Sequence, residues 1–287
     1  MQKVILCREG GGLGDVIMTL PVAKAYKEAG YFVEYLVLAG YAEIIEACPY
    51  VDVVHKCYKF NRRARLADPA TNGYLNKMGI VTEGVTKVVD FWCPAWQHER
   101  ATAGNPYRNR IESFWISAGL KIENIPPAPL YGLIQIDLKP LPSIEGKDFA
   151  IFQLKTQDTV RDVPQKLYQP KLDYCESNNI ITCGLANKHT VNDYTDKLLI
   201  RLPFNQLCWA VKNALFMCCG DSGPLHLAAA FGTPTFAWFG PTQANLICKR
   251  YPSVTYYQGK GCTPCYYQKE GGWDDCRKKG YCRALTD

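Results

Sequence analysis

The first forty residues restrict the fold more than any other stretch of the chain. Val4-Ile-Leu-Cys7 is a short apolar strand pattern, followed by Gly10-Gly-Gly-Leu-Gly-Asp15, a helical pattern from about Asp15 to Ala29 closed by Gly30, and a second strand pattern over Phe32–Leu38. Strand, glycine turn, helix and strand in this order make a βαβ unit, which requires a parallel sheet and an α/β fold. Pro21 lies inside the helical pattern, so it must kink the helix or displace its true start.

The same grammar returns after a proline-rich stretch, Ile125-Pro-Pro-Ala-Pro129 to Lys139-Pro-Leu-Pro142, where we place the linker. Residues 149–154 read as a strand, Ile180-Ile-Thr-Cys-Gly184 as a strand and turn, and residues 215–219 as another strand. Next come Gly220-Asp-Ser-Gly-Pro-Leu-His226, a helix to about Phe231 stopped by Gly232, and the strand Thr235–Phe239 ending in Gly240-Pro-Thr242. The expected architecture is two Rossmann-like lobes, residues 1–140 and 141–287, facing across a cleft, with ligands beyond the carboxyl ends of the strands.

Composition excludes several alternatives. The 287 residues are 47% hydrophobic and 21% charged, which is incompatible with disorder, collagen or a coiled coil. No apolar run approaches the ~18 residues that cross a bilayer, and Arg8 and Glu9 interrupt the N-terminal apolar stretch, so a cytoplasmic location is expected. There are 14 cysteines, but Cys7, Cys183, Cys218 and Cys219 sit in strand-like apolar runs and read as reduced core residues. The net charge of +6 is local. Lys56, Lys59, Arg62, Arg63, Arg65 and Lys77 face only Asp68 within residues 56–77, and residues 249–287 are also basic. Such segments suit an anionic partner: a phosphorylated sugar, a lipid head group or nucleic acid.

Three motifs carry chemistry. In Cys219-Gly-Asp-Ser-Gly-Pro-Leu-His-Leu-Ala-Ala-Ala-Phe-Gly232, Pro224 suits the first helical position, Ser222 is placed to cap, and the glycines allow close backbone approach. Backbone N–H groups and the helix dipole then converge on a point that can hold a phosphate, with His226 placed to add a hydrogen bond. The second motif, Gly12-Leu-Gly-Asp15, has aspartate where a dinucleotide fingerprint needs its third glycine, and it lacks the Gly-Lys-Ser/Thr of a nucleoside-triphosphate loop. Asp15 at a helix start is a candidate proton acceptor for a substrate hydroxyl, or simply an N-cap. The third is the tail, where Cys262-Thr-Pro-Cys265 with Cys276 and Cys282 offers four thiolates for a structural zinc, or four packed thiols. A basic, aromatic, cysteine-rich tail also suits nucleic acid.

Together these residues resemble family 9 glycosyltransferases, which include the bacterial lipopolysaccharide heptosyltransferases. The family's Gly-Asp-x-(hydrophobic)-x-x-x-Pro start is matched by Gly14-Asp-Val-Ile-Met-Thr-Leu-Pro21. Its Asp-Ser/Thr-Gly-Pro-x-His-x-Ala signature is matched by Asp221 to Ala228, and its later Phe-Gly-Pro-Thr by Phe239 to Thr242. The resemblance implies a GT-B fold, an acceptor lobe followed by a nucleotide-sugar lobe, and inverting transfer that needs no metal cofactor. It places the catalytic base on Asp15 and the diphosphate-binding turn on Asp221, Ser222, Gly223, Pro224 and His226, with Gly240, Pro241 and Thr242 beside it. The family's Lys-x-Trp-Pro segment aligns with Arg161-Asp-Val-Pro164, so arginine replaces lysine and valine replaces tryptophan. Lys155 is a second candidate phosphate contact. Acceptor contacts are expected from Gly12, Gly14, Arg62, Arg63 and Arg65. The expected partners are a nucleoside-diphosphate sugar and an anionic saccharide acceptor. The alternatives are a hydroxylated base in DNA as acceptor, or a non-catalytic nucleotide-sugar binder.

Overall fold

In the computed structural model the described residues are 1–58, 75, 79–80, 82–91, 108–156, 158–186, 195–260, 262, 265 and 272–286. The chain divides into two compact units, Met1–Gln135 and Ile136–Asp287.

The first unit is built on a parallel sheet of four strands, β1 (Lys3–Arg8), β2 (Phe32–Leu38), β3 (Val53–Cys57) and β4 (Lys87–Asp90), in the order β3-β2-β1-β4. The register runs Lys3 against Phe32, Glu34 against Val53 and Val4 against Lys87. Strand β1 is central and covered on both faces, which is why Val4, Ile5, Leu6 and Cys7 form an unbroken apolar run with no exposure. Ile5, Cys7, Leu36, Cys57, Leu75 and Ile80 make one of its core clusters.

The single helix expected from 15 to 29 is two: α1 (Leu13–Ile17) and α2 (Leu20–Glu28). Pro21 is the cause. It sits in the first turn of α2, where its missing N–H costs nothing, and it displaces the helix start to Thr19. Gly30 then turns the chain with φ +86°, and β2 begins two residues later. After the 3-10 turn Ala39–Tyr41, α3 (Ala42–Glu46) leads to β3. Further on, α4 (Arg110–Ser117) is capped by Asn109, whose side chain accepts from the Ile111 amide at 2.9 Å.

The second unit has six parallel strands: β5 (Phe149–Gln153), β6 (Ile181–Ala186), β7 (Lys197–Ile200), β8 (Met217–Gly220), β9 (Thr235–Phe239) and β10 (Val254–Gln258). Their order is β10-β9-β8-β5-β6-β7, the Rossmann 3-2-1-4-5-6 arrangement. Its switch point lies between β5 and β8, paired through Ile151 and Met217. Helices α5 (Gln165–Ser177), α6 (Phe204–Asn213), α7 (Gly223–Phe231), α8 (Ala244–Cys248), α9 (Gly272–Lys279) and α10 (Arg283–Thr286) follow in chain order. Helix α7 ends at Phe231 because Gly232 takes the left-handed conformation, φ 73°. Among the described residues no helix is long and apolar enough to cross a membrane.

Candidate functional site

In the C-terminal unit the predicted donor residues converge on the switch point. Strand β5 ends at Gln153, whose amide donates to the Lys155 carbonyl and whose Oε1 accepts from the Ser222 hydroxyl. Ser222 is at the N-cap position of α7 but makes no side-chain cap bond. Its hydroxyl donates to Gln153 Oε1 and so ties the end of β8 to the end of β5. The predicted capping by this hydroxyl is thus corrected.

Arg161 ends a short 3-10 turn, and its Nη1 donates to the Asp221 carbonyl at 3.1 Å, with the Asp221 carboxylate 3.8 Å away. Asp221 is fixed from the other side by Thr242, whose hydroxyl donates to its Oδ2 at 2.7 Å. Asp162 braces the loop before it: Oδ1 accepts from the Thr156 amide at 2.7 Å, and Oδ2 pairs with Lys155 at 3.2 Å. Gly220 is required here, since a Cβ on it would stand 2.8 Å from the Arg161 carbonyl oxygen. Two cationic side chains and a helix N-terminus therefore meet at the carboxyl ends of the two central strands, an arrangement suited to an anion.

His226 and Gly240 are positioned by other contacts. His226 is in the first turn of α7 but buried, and its Nδ1 shares a hydrogen bond of 2.7 Å with the Tyr251 hydroxyl, the rings meeting edge to face. Gly240 packs under the tail, where a Cβ would lie 2.6 Å from Cys282 Sγ. Pro241 and Thr242 are buried beside it, and Asp221, Ser222, Gly223 and Pro224 are half-buried.

In the N-terminal unit, Asp15 is the third residue of α1 and closes a capping interaction, accepting the Gly12 amide on Oδ2 at 3.0 Å. Two arginines the sequence reading missed also hold it. Arg110 Nη1 donates to Oδ1 at 2.9 Å, and Arg8 Nη2 lies 3.3 Å from Oδ2. Gly12 is exposed and Gly14 buried, while Gly11, with φ +97°, has Asp15 and Arg8 so close that a Cβ would meet both within 2.6 Å. Also missed were Gln153, Thr156, Asp162 and Tyr251. A cation ending an apolar strand (Arg8) and one directly after an N-cap asparagine (Arg110) were the available signals. Arg62, Arg63 and Arg65 lie outside the described residues.

Cys265, Cys276 and Cys282 are buried and Cys262 is exposed. Burial pushes the Cys282 thiol up to about 11, with the neighbouring Cys262 and Cys276 adding to the rise. Among the described residues no three His, Cys, Asp or Glu side chains are gathered to hold a metal ion. Residues 263, 264 and 266–271 of the tail lie outside them.

Residues 173–269 match the family model described as glycosyltransferase family 9 (heptosyltransferase). The chain resembles the family 9 glycosyltransferases. The matched segment of this family 9-like chain runs from within α5 through β10 and includes Asp221, His226 and Thr242. Among solved structures, the E. coli heptosyltransferase WaaC with ADP is 15% identical, with 91% of this chain and 94% of that chain covered and a TM-score of 0.61. E. coli ADP-heptose lps heptosyltransferase II is 12% identical over 100% of this chain and 94% of that chain, with a TM-score of 0.65. The iron-containing dodecameric glycosyltransferase TibC from enterotoxigenic E. coli is 13% identical over 93% and 67%, with a TM-score of 0.64. The fold of the family 9-like chain is GT-B. No curated protein sequence matches it.

Proposed function

We propose that the protein is a glycosyltransferase that moves a sugar from a nucleoside-diphosphate donor to an acceptor hydroxyl with inversion. The observation that carries this reading is the convergence of Lys155, Arg161 and the N-terminus of α7 at the β5/β8 switch point, with Asp221 fixed between Arg161 and Thr242. The similarity to WaaC, which was solved with ADP and with ADP-2-deoxy-2-fluoro heptose, supports an ADP-activated heptose as donor and a bacterial surface saccharide as acceptor.

In this reading the donor diphosphate lies on the α7 N-terminus, and Arg161 and Lys155 supply counter-charge as the leaving group gains negative charge. Asp15 takes the proton of the acceptor hydroxyl while its oxygen bonds to the anomeric carbon and the bond to the diphosphate breaks. The nucleoside diphosphate leaves from the face opposite the attack, so the anomeric configuration inverts. The test is ADP release from ADP-heptose by wild type and D15N, with ADP affinity measured by calorimetry. D15N is expected to lose ~10² to 10⁴ in rate and to bind ADP as wild type does. A variant keeping more than a third of the turnover would end the assignment of the base.

A further inference from the structure

Asp15 is held by more groups than a helix cap requires. Its own turn supplies the Gly12 amide, which completes the capping interaction. Arg8 and Arg110 then converge on it from β1 and α4, so both carboxylate oxygens face guanidinium nitrogens. Arg8 is anchored: its Nη1 donates to the Phe91 carbonyl at 2.9 Å, and its guanidinium lies 5.3 Å from the centre of the Phe114 ring.

Arg110 is the more informative partner. It is the first residue of α4, where the helix dipole disfavours a cation, and Asn109 already caps that helix. A residue that works against its own helix and reaches Asp15 at 2.9 Å is placed for the contact, not for the helix. Gly11 completes the arrangement, since any side chain there would collide with Asp15 and Arg8.

We propose that Arg110 is a positioning residue for transfer, its guanidinium fixing the Asp15 carboxylate as an oriented anion with one oxygen bound to Arg110 and the other to Gly12 and Arg8. This rests on Asp15 being the base. Oδ1 takes one donor, Arg110, and has a second lone pair, so it can still accept a hydroxyl proton. Among the described residues, the other titratable groups near Asp15 are these. Tyr41, in the 3-10 turn after β2, has its phenol pushed up by burial and then by the Asp15 charge. Glu9, next to Arg8, is fully buried. From α3, which packs on α1, Glu46 pairs with Lys56 and Glu43 is exposed. In α2, Lys24 pairs with Glu28 and Lys27 with Asp52.

The sign follows from the charges. An ionised Asp15 is needed for proton acceptance, and a neighbouring cation keeps it ionised to lower pH. Removing that cation moves the loss of the ionised form to higher pH. The experiment follows the Asp15 carboxyl carbon by ¹³C NMR in the unliganded protein, the signal being assigned by its absence in D15N. In R110Q it is expected to titrate about one pH unit or more higher than in wild type, and in R110K to return towards the wild-type position. A signal that titrates identically in wild type and R110Q, or is displaced as far in R110K as in R110Q, overturns the proposal. If R110Q does not fold, R110K carries the test: a signal coincident with wild type supports the proposal and a displaced one overturns it. With ADP-heptose as the probe, R110Q should lower kcat about tenfold or more with KM for the donor unchanged. Full activity in D15N would instead strike the assignment of Asp15 itself, which separates the two failures.

Discussion

Arg161 and Lys155 carry the same charge into the proposed donor site but with different commitments. Lys155 is 46% exposed and shares an ion pair with Asp162, a surface contact worth about 0–1 kcal/mol. Arg161 is seated on the Asp221 carbonyl, and its planar fork has further donors to offer a diphosphate. Arg161→Ala should therefore raise the Kd for ADP about ten- to a hundredfold, and Lys155→Ala by less. Calorimetry showing equal losses for adenosine and ADP would place Arg161 away from the phosphates. His226 is buried and oriented through Tyr251, so Tyr251→Phe should weaken ADP binding in the same sense as His226→Ala. If ADP binds Y251F as it binds wild type, the hydroxyl has no part in setting the imidazole. Asp221, Ser222 and His226 could be singled out as candidates in the sequence because their motif is six consecutive residues around a helix start. Arg8 and Arg110 could not, since what gives them meaning is contact with Asp15, which for Arg110 spans 95 residues and for Arg8 depends on how the glycine turn after β1 folds back.

At the scale of elements, two glycines make opposite demands. Gly30 has open space around it but φ +86°, so Gly30→Ala pays about 1–2 kcal/mol for the left-handed backbone. Any Cβ added at Gly259 would run into the Ala284 carbonyl, so Gly259→Ala must move α10 off the end of β10 at about 1–3 kcal/mol. Both should lower Tm. Asparagine, which tolerates the left-handed region, separates them: G30N should recover most of the loss and G259N should be worse than G259A. A thermal melt in which both positions prefer asparagine would contradict this account. The same contrast explains which elements could be read. Strands β1, β2 and β9 are apolar runs bounded by turn residues. By contrast, β7 is four residues with three of them exposed, and α5 carries Pro170 in its interior, which a sequence reading takes as a helix breaker.

Across the whole molecule, the cysteines act as a buried reserve of protonated groups. None of the described cysteines is in a disulfide, and among them only Cys262 is exposed. Burial pushes Cys48, Cys57 and Cys175 up to about 11 and Cys183 up to about 12. In the unfolded chain such thiols ionise near pH ~8.5. Their contribution is thus fully present below that pH and is lost as pH rises through 11 to 12. Tm should fall between pH 8 and pH 10.5, and Cys183→Ala should flatten part of that fall. An unchanged slope in C183A would show that Cys183 carries none of the loss. The strand order of the C-terminal unit has a consequence in time. Ile151 and Met217 are separated in sequence by β6, β7 and their helices, so the central pair closes the longest loop in that sheet. The proposed donor site straddles that pair. It is expected to be absent from early folding intermediates and to disappear as soon as β8 detaches, so nucleotide binding reports on completed folding of this unit rather than on its collapse.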